Sequence, residues 1–349
     1  MKPTLLTRLR RIAALTVSAL ACLAAQASVG LTELPGHDGD GPVTVFYPSS
    51  SPAQAVQHAN VTLSVAPQGL PERGNGRLIV LSHGSGGAPW SQSDLALHLV
   101  GAGFVVAMPE HAGDNWHDHR KIGPDSWKLR PLEVSRAIDA LGQDTRFAPL
   151  LDLQRVGVYG MSAGGHTALT LAGGRWSETR LREHCDAHLA EDFIACTGAV
   201  TELTGGWLDG LKKTIAQAII HLRLQDDAWQ GHTDPRVRAA VAAVPFAADF
   251  DPASLARPRV PLGLIEAEQD HWLRPQFHST SVLAACTGCE LLARLPNAGH
   301  GALLAPLPPA DKLPPRIERL LADPPGFDRT ELPALYQRIG GFFQKHLLP

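Results

Sequence analysis

Between residues 77 and 296 the sequence alternates between short, almost continuous apolar runs and longer stretches with apolar residues at three- and four-residue spacing. The runs are "RLIVLS" (77–82), "FVVAMP" (104–109), "RVGVYG" (155–160), "RAAVAAVP" (238–245), "VPLGLIEA" (260–267) and "ELLARLP" (290–296). Such runs offer almost no polar face to water, so they suit strands buried on both sides, as in a parallel sheet. "SDLALHLVGAG", "RPLEVSRAIDALGQD" and "SAGGHTALTLAGG" lie between them, and "LPALYQRIGGFFQKHL" closes the chain; all four carry helical periodicity. Strand and helix in alternation predict an α/β fold with a doubly wound, mostly parallel sheet. Two earlier segments, "PVTVFYP" (42–48) and "ANVTLSVAP" (59–67), alternate apolar and polar residues and predict an antiparallel start.

The stretch 175–235 breaks the alternation. It is rich in Trp, His and charge around a helical segment "LDGLKKTIAQAIIHLRL", and reads as a cap inserted over the sheet edge. Residues 302–330 are Pro-rich and read as an ordered loop leading to the last helix. The N-terminus is basic ("MKPTLLTRLRR"), then apolar ("IAALTVSALACLAA"), then small ("AAQAS"), the order of a secretory signal peptide over 1–27, cut after Ala27. Residues 28–349 are then expected to form a single domain, periplasmic or secreted, with no stable membrane span because no later run is long and apolar enough. Cys22 after "ALA" only weakly resembles a lipidation site. Lys plus Arg number 31 against 34 Asp plus Glu, without blocks of either sign, which leaves no footprint for nucleic acid. Export permits disulfides, and sequence proximity favours Cys185 with Cys196 and Cys286 with Cys289.

Where "RVGVYG" stops and the next helix starts stands "GMSAG", with Ser162 between Gly160 and Gly164. A strand that reverses sharply into a helix strains the turning residue, and glycines on either side remove the side chains that would clash. The turn exposes the hydroxyl at the carboxyl edge of the sheet, and the helix start adds backbone N–H groups suited to developing negative charge. A serine hydroxyl needs a base to act as nucleophile. The chain holds 16 histidines, so position has to select among them. His300 follows the last strand between Gly299 and Gly301 and is the candidate base. Asp270, beyond the end of "VPLGLIEA", is the candidate acid, with Glu266 and Glu268 as competitors, and the order Ser, Asp, His follows.

Two donors are needed for an oxyanion: Ala163 N–H, just after the serine, and one from "LSHGSGG" (81–87), assigned to Ser85. His83 in that loop reads as a brace. "PEHAGDNWHDH" (109–119) gathers His111, Asp114, His117, Asp118 and His119, but their spacing matches no standard ligand pattern, so no metal is expected. His111 on this loop and Met161 beside the serine are the candidate substrate-pocket residues.

In combination, "VFYP", "LSHGSGG", "PEHAGDN", "RPLEVSRAIDAL", "GVYGMSAGGHTAL", "AGHGALLAP" and "GFDRTELPALYQRIGGFF" resemble the α/β-hydrolase superfamily. Within it, the chain resembles exported bacterial proteins related to dienelactone hydrolase and platelet-activating-factor acetylhydrolase. The resemblance implies a nucleophile at Ser162, a base at His300, an acid at Asp270 and no cofactor. Dienelactone hydrolase proper carries cysteine at the turn where this chain has serine, so ester hydrolysis is expected ahead of lactone opening. The expected activity is cleavage of carboxylic esters, small or lipid-like and with short acyl chains favoured, through an acyl-enzyme. The alternatives are acyl transfer on the same triad and a catalytically silent binding protein on this fold.

Overall fold

The computed structural model describes residues 28–349 except 38, 59–60, 308–312 and 314; the expected signal peptide and Cys22 lie outside the described residues. The strands are β1 (Ser28–Leu34), β2 (Val43–Ser49), β3 (Gln54–His58), β4 (Val61–Pro67), β5 (Leu78–Ser82), β6 (Val105–Pro109), β7 (Val156–Met161), β8 (Val237–Ala243), β9 (Leu262–Ala267) and β10 (Glu290–Leu295). They form one ten-stranded sheet in the order β10-β9-β8-β7-β5-β6-β2-β1-β4-β3. Every pairing from β10 to β6 is parallel. β2 joins β6 antiparallel, and β1 joins β2 likewise.

Side chains alternate across the pleat, so each buried run feeds two cores. Leu78 and Val80 of β5 point into one apolar cluster, Ile79 and Leu81 into the other. The first cluster takes Val134, Ala137, Ile138 and Leu141 from α2 (Pro124–Gln143) and Leu169 from α3 (Ala163–Leu171). The second takes Leu95 and Leu99 from α1 (Ser93–Gly101), with Ile339 and Phe343 from the C-terminal helix, Leu332–Leu347. Helices thus cover both faces, as the alternation in the sequence predicts. β5 lies between β6 and β7, so the winding direction reverses there and leaves a crevice at the carboxyl ends of β5 and β7. The register pairs Ser82 with Gly160, which sets the loop after β5 beside the residue after β7.

Between α3 and β8 the chain forms α4 (Glu178–His188), α5 (Phe193–Cys196) and α6 (Asp209–Arg223). Disulfides join Cys185 to Cys196 and Cys286 to Cys289, each with Cα atoms 5.7 Å apart, which is an ordinary span for the bond. Asp192, inside the first disulfide loop, accepts from His184 and His278, and His278 in turn accepts from Ala247 N–H at 3.0 Å. Burial pushes the Asp192 carboxyl up, but the two histidines outweigh it and hold the group down at about 2. No helix among the described residues is long and apolar enough to cross a membrane.

Three details differ from the sequence reading. β1 was not expected, because "SVGLTEL" has too little apolar contrast to stand out, and its place in the sheet comes from a full antiparallel register with β2. β3, "QAVQH", is a mostly exposed edge strand without an apolar run. The Pro-rich stretch 302–330 holds a short helix, Pro315–Leu321, where a loop was expected; proline is tolerated at a first helical position.

Candidate active site

Ser162 follows β7 with no intervening loop, and α3 begins at the next residue. Its backbone sits at φ 58° and ψ −117°, a region that side chains disfavour. Surrounding bonds hold it there: its N–H donates to Ala243 O (3.1 Å), and its carbonyl accepts from the N–H groups of His166 (3.0 Å) and Phe246 (3.1 Å). The reversal is tight enough that a Cβ on Gly160 would sit on the carbonyl of Gly164, and one on Gly164 would sit on the carbonyl of Ser82. These contacts explain glycine on both sides of the serine.

His300 opens a short 3₁₀ turn, His300–Leu303, after β10, and Asp270 lies three residues past β9. The structure brings them to Ser162 in a line. His300 Nε2 is 3.0 Å from Ser162 Oγ, and His300 Nδ1 is 2.6 Å from Asp270 Oδ2. The other carboxylate oxygen of Asp270 accepts from the N–H groups of Trp272 and Leu273, both at 2.8 Å. A carboxylate only accepts, so Nδ1 carries the ring proton and Nε2 is left to accept from the serine hydroxyl. Asp270 and His300 are buried, while Ser162 keeps some exposure.

The competing acids are engaged elsewhere. Glu266 is buried, accepting from the hydroxyls of Ser279 and Thr280 and from Arg294 Nε at 2.8 Å. Burial raises its pKa, but these donors outweigh burial and lower it. Glu268 lies 3.6 Å from Arg294.

Ala163 N–H opens α3, and Ser85 sits in the loop after β5; among the described residues no hydrogen bond occupies either N–H. The two expected pocket residues face inward. Met161 shares a face with Tyr159 and is buried in the second apolar cluster, because strand parity sends both side chains to the same side of the sheet. His111 has no exposed surface: its Nε2 lies 2.7 Å from Ser82 Oγ, and its Nδ1 lies 2.5 Å from Glu133. His83 braces the loop as expected, with Nδ1 donating to Gly84 O and Nε2 accepting from His111 N–H. The other charged residues of 109–119 point apart, Asp114 to Arg130, His117 to Glu110 and Asp118 to Arg120. Among the described residues no group of three or more His, Cys, Asp or Glu is placed to hold a metal ion. A cavity of about 330 Å³ lined by His184, His188, Phe250 and Phe277 is bordered by none of Ser162, Asp270 and His300.

The sequence reading missed Arg130 and Glu133. Both lie on the buried side of α2 with Trp127, Val134 and Ala137. Charged residues at core-facing helical positions are the signal that could have found them, since buried charge needs a partner.

Burial, ahead of neighbouring charge, pushes both His83 and His111 well below the ordinary histidine value. At these two rings the folded state therefore binds fewer protons than the unfolded chain once pH drops below about 6.5, and the stability they contribute falls on acidification. Each ring held neutral contributes up to about 1.4 kcal/mol per pH unit in that range. Burial also raises the Glu133 pKa, so the folded state takes up that proton first and offsets part of the loss at lower pH. Melting followed by circular dichroism should give a lower Tm at pH 5.5 than at pH 7.5; an equal or higher Tm at 5.5 contradicts the neutral, buried pair.

No family model matches the sequence, and no curated protein matches it. Among solved structures, a ferulic acid esterase from Streptomyces cinnamoneus matches over 94% of this chain and 92% of that one, with a TM-score of 0.60 and 16% identity. At that identity the likeness shows the fold: a doubly wound, mostly parallel α/β sheet of α/β-hydrolase type.

Proposed function

We propose that this chain is a serine hydrolase that cleaves carboxylic esters through an acyl-enzyme on Ser162. The observation that carries the reading is the unbroken line from Ser162 Oγ through His300 to Asp270, at 3.0 and 2.6 Å, on a serine held in a strained turn. Ser162 Oγ attacks the ester carbonyl carbon while His300 Nε2 takes the hydroxyl proton, and Asp270 keeps the ring oriented and stabilises its charged form. The carbonyl oxygen becomes an oxyanion facing the N–H groups of Ala163 and Ser85. His300 then gives its proton to the departing alcohol, leaving the acyl group on Ser162. Water, deprotonated by His300, attacks that group, and His300 returns the proton to Ser162 Oγ as the acid leaves.

The esterase identity of the structural neighbour supports this reading at the level of ester cleavage. On the quoted motifs, the proposed relatives are the exported dienelactone hydrolase-like and platelet-activating-factor acetylhydrolase-like proteins. The proposal places the mature protein, residues 28–349, in the periplasm or outside the cell, where its two disulfides suit an oxidising compartment. It also assigns α4 to α6 within 175–235 to a cap that shapes substrate choice.

Purified residues 28–349 should hydrolyse p-nitrophenyl esters in the presence of a chelator, fastest with short acyl chains, and a fluorophosphonate should label the peptide containing Ser162. Turnover lost to the chelator and restored by zinc would overturn the metal-free mechanism. Inertness towards every ester in the series, together with no label on Ser162, would leave the binding-protein alternative. Product transfer to an added alcohol in preference to water would identify an acyltransferase.

A further inference from the structure

The loop that carries Ser85 is held from behind by two opposite charges with no exposed surface, Asp114 and Arg130. Arg130 Nη2 lies 2.8 Å from Asp114 Oδ2. Ser126 Oγ ties them together, accepting from Arg130 Nε at 2.8 Å and donating to Asp114 Oδ2 at 2.7 Å. From this pair, contacts spread onto four consecutive loop residues. Arg130 donates to the carbonyls of His83 and Gly84. Asp114 accepts from Gly86 N–H at 2.8 Å and from the Ser85 hydroxyl at 3.2 Å.

The orientation of one peptide follows from these contacts. In a trans peptide the carbonyl and the next N–H point in opposite directions. The Gly84 carbonyl is turned onto Arg130 Nη2, His83 Nδ1 (2.8 Å) and Gly87 N–H (3.0 Å), so the N–H of Ser85 faces away from that cluster. Gly84 itself turns its bare α-carbon to the nucleophile: a Cβ there would lie 3.3 Å from Ser162 Cβ and 3.8 Å from its Oγ. An ion pair this deeply buried adds little to stability compared with well-packed apolar side chains, so stability alone is a weak reason to keep one here.

We propose that Asp114 and Arg130 are positioning residues, a buried clamp that fixes the peptide between Gly84 and Ser85 so that its N–H meets the developing oxyanion. This rests on the hydrolase reading above. Neither residue touches substrate. Their effect passes through the loop, where a displacement of about 1 Å can cost on the order of 100-fold in rate.

The test compares Arg130→Lys, Asp114→Asn and Ser126→Ala with the wild-type protein on p-nitrophenyl acetate, with kcat expressed per active site titrated by a fluorophosphonate. A lysine keeps the charge but cannot reach two carbonyls and Asp114 together. Arg130→Lys and Asp114→Asn should lower kcat by roughly 10- to 100-fold with KM within about threefold, because a misaligned oxyanion donor acts on the transition state more than on bound substrate. Affinity for a phenylboronic acid, whose tetrahedral adduct on Ser162 imitates that state, should fall in parallel. Ser126→Ala keeps both charges and should lower kcat by about three- to tenfold; it decides the matter if the charge variants do not fold.

A merely structural role would reduce Tm and the concentration of titratable sites while leaving kcat per site and boronate affinity unchanged. That pattern in Ser126→Ala and in each charge variant that folds overturns the clamp. A wild-type protein that is inert, with Ser162 unlabelled, overturns the hydrolase reading instead.

Discussion

Replacing Ser162 with alanine should lower kcat by roughly 10⁴- to 10⁶-fold, because the acyl-enzyme route disappears and only binding and the oxyanion donors remain to speed attack by water. The hydroxyl lies 3.0 Å from His300 Nε2, and among the described residues no other serine is hydrogen-bonded to that nitrogen. Substrate binding does not depend on the hydroxyl, so KM should move little. His300→Ala should cause a loss of similar size, and the double variant should be no worse than the more impaired single one, since the two act as a unit. A Ser162→Ala protein that keeps more than about 1% of wild-type kcat would contradict the assignment, given the losses expected of a triad nucleophile.

The second large effect is expected at Asp270. Asparagine is isosteric, and its side-chain oxygen can still accept from the N–H groups of Trp272 and Leu273. Its amide nitrogen would then face His300 Nδ1 as a donor, forcing the ring to carry its proton on Nε2 and to present N–H to the serine in place of a lone pair. The wrong tautomer cannot take the proton, and kcat should fall by about 10⁴-fold while circular dichroism stays that of the wild type. Glu266→Gln loosens the contact to Arg294 and Glu268→Gln alters a half-open surface pair, so both should keep most activity. If either glutamine variant loses more than Asp270→Asn, the acid has been misassigned.

The fold was legible wherever the information is local. Apolar runs such as "RLIVLS" and "RAAVAAVP" give parallel strands because a doubly covered sheet leaves them no polar face. The turn at Ser162 could be read because Gly160 and Gly164 answer a steric demand within five residues. Asp270 and His300 could be proposed from where strands end, although their meeting depends on packing across the whole sheet. What could not be read was pairing between distant segments. β1 gains its identity from β2, not from its own composition. Arg130 and Asp114 are 16 residues apart: the core-facing helical position of Arg130 marks it as a buried charge, but only the path of the loop after β6 brings it Asp114 as a partner. His111 and Met161 are both buried, the one against Ser82 and the other in the apolar core, and proximity in sequence to Ser162 says nothing about which side of a strand or loop a side chain leaves from.

The backbone at residue 162 sets folding and chemistry against each other. With φ at 58°, this position would be more comfortable as glycine, and the strain of a side chain there is on the order of 1–3 kcal/mol. Glycine would relieve that strain while removing the hydroxyl that the proposed mechanism requires. A search that rewards stability alone, such as selection for heat resistance without an activity screen, would therefore drift toward a chain that lacks the proposed nucleophile at this one codon. A library intended to harden this scaffold must hold residue 162 fixed and draw its gains from places where the chain carries no such opposition.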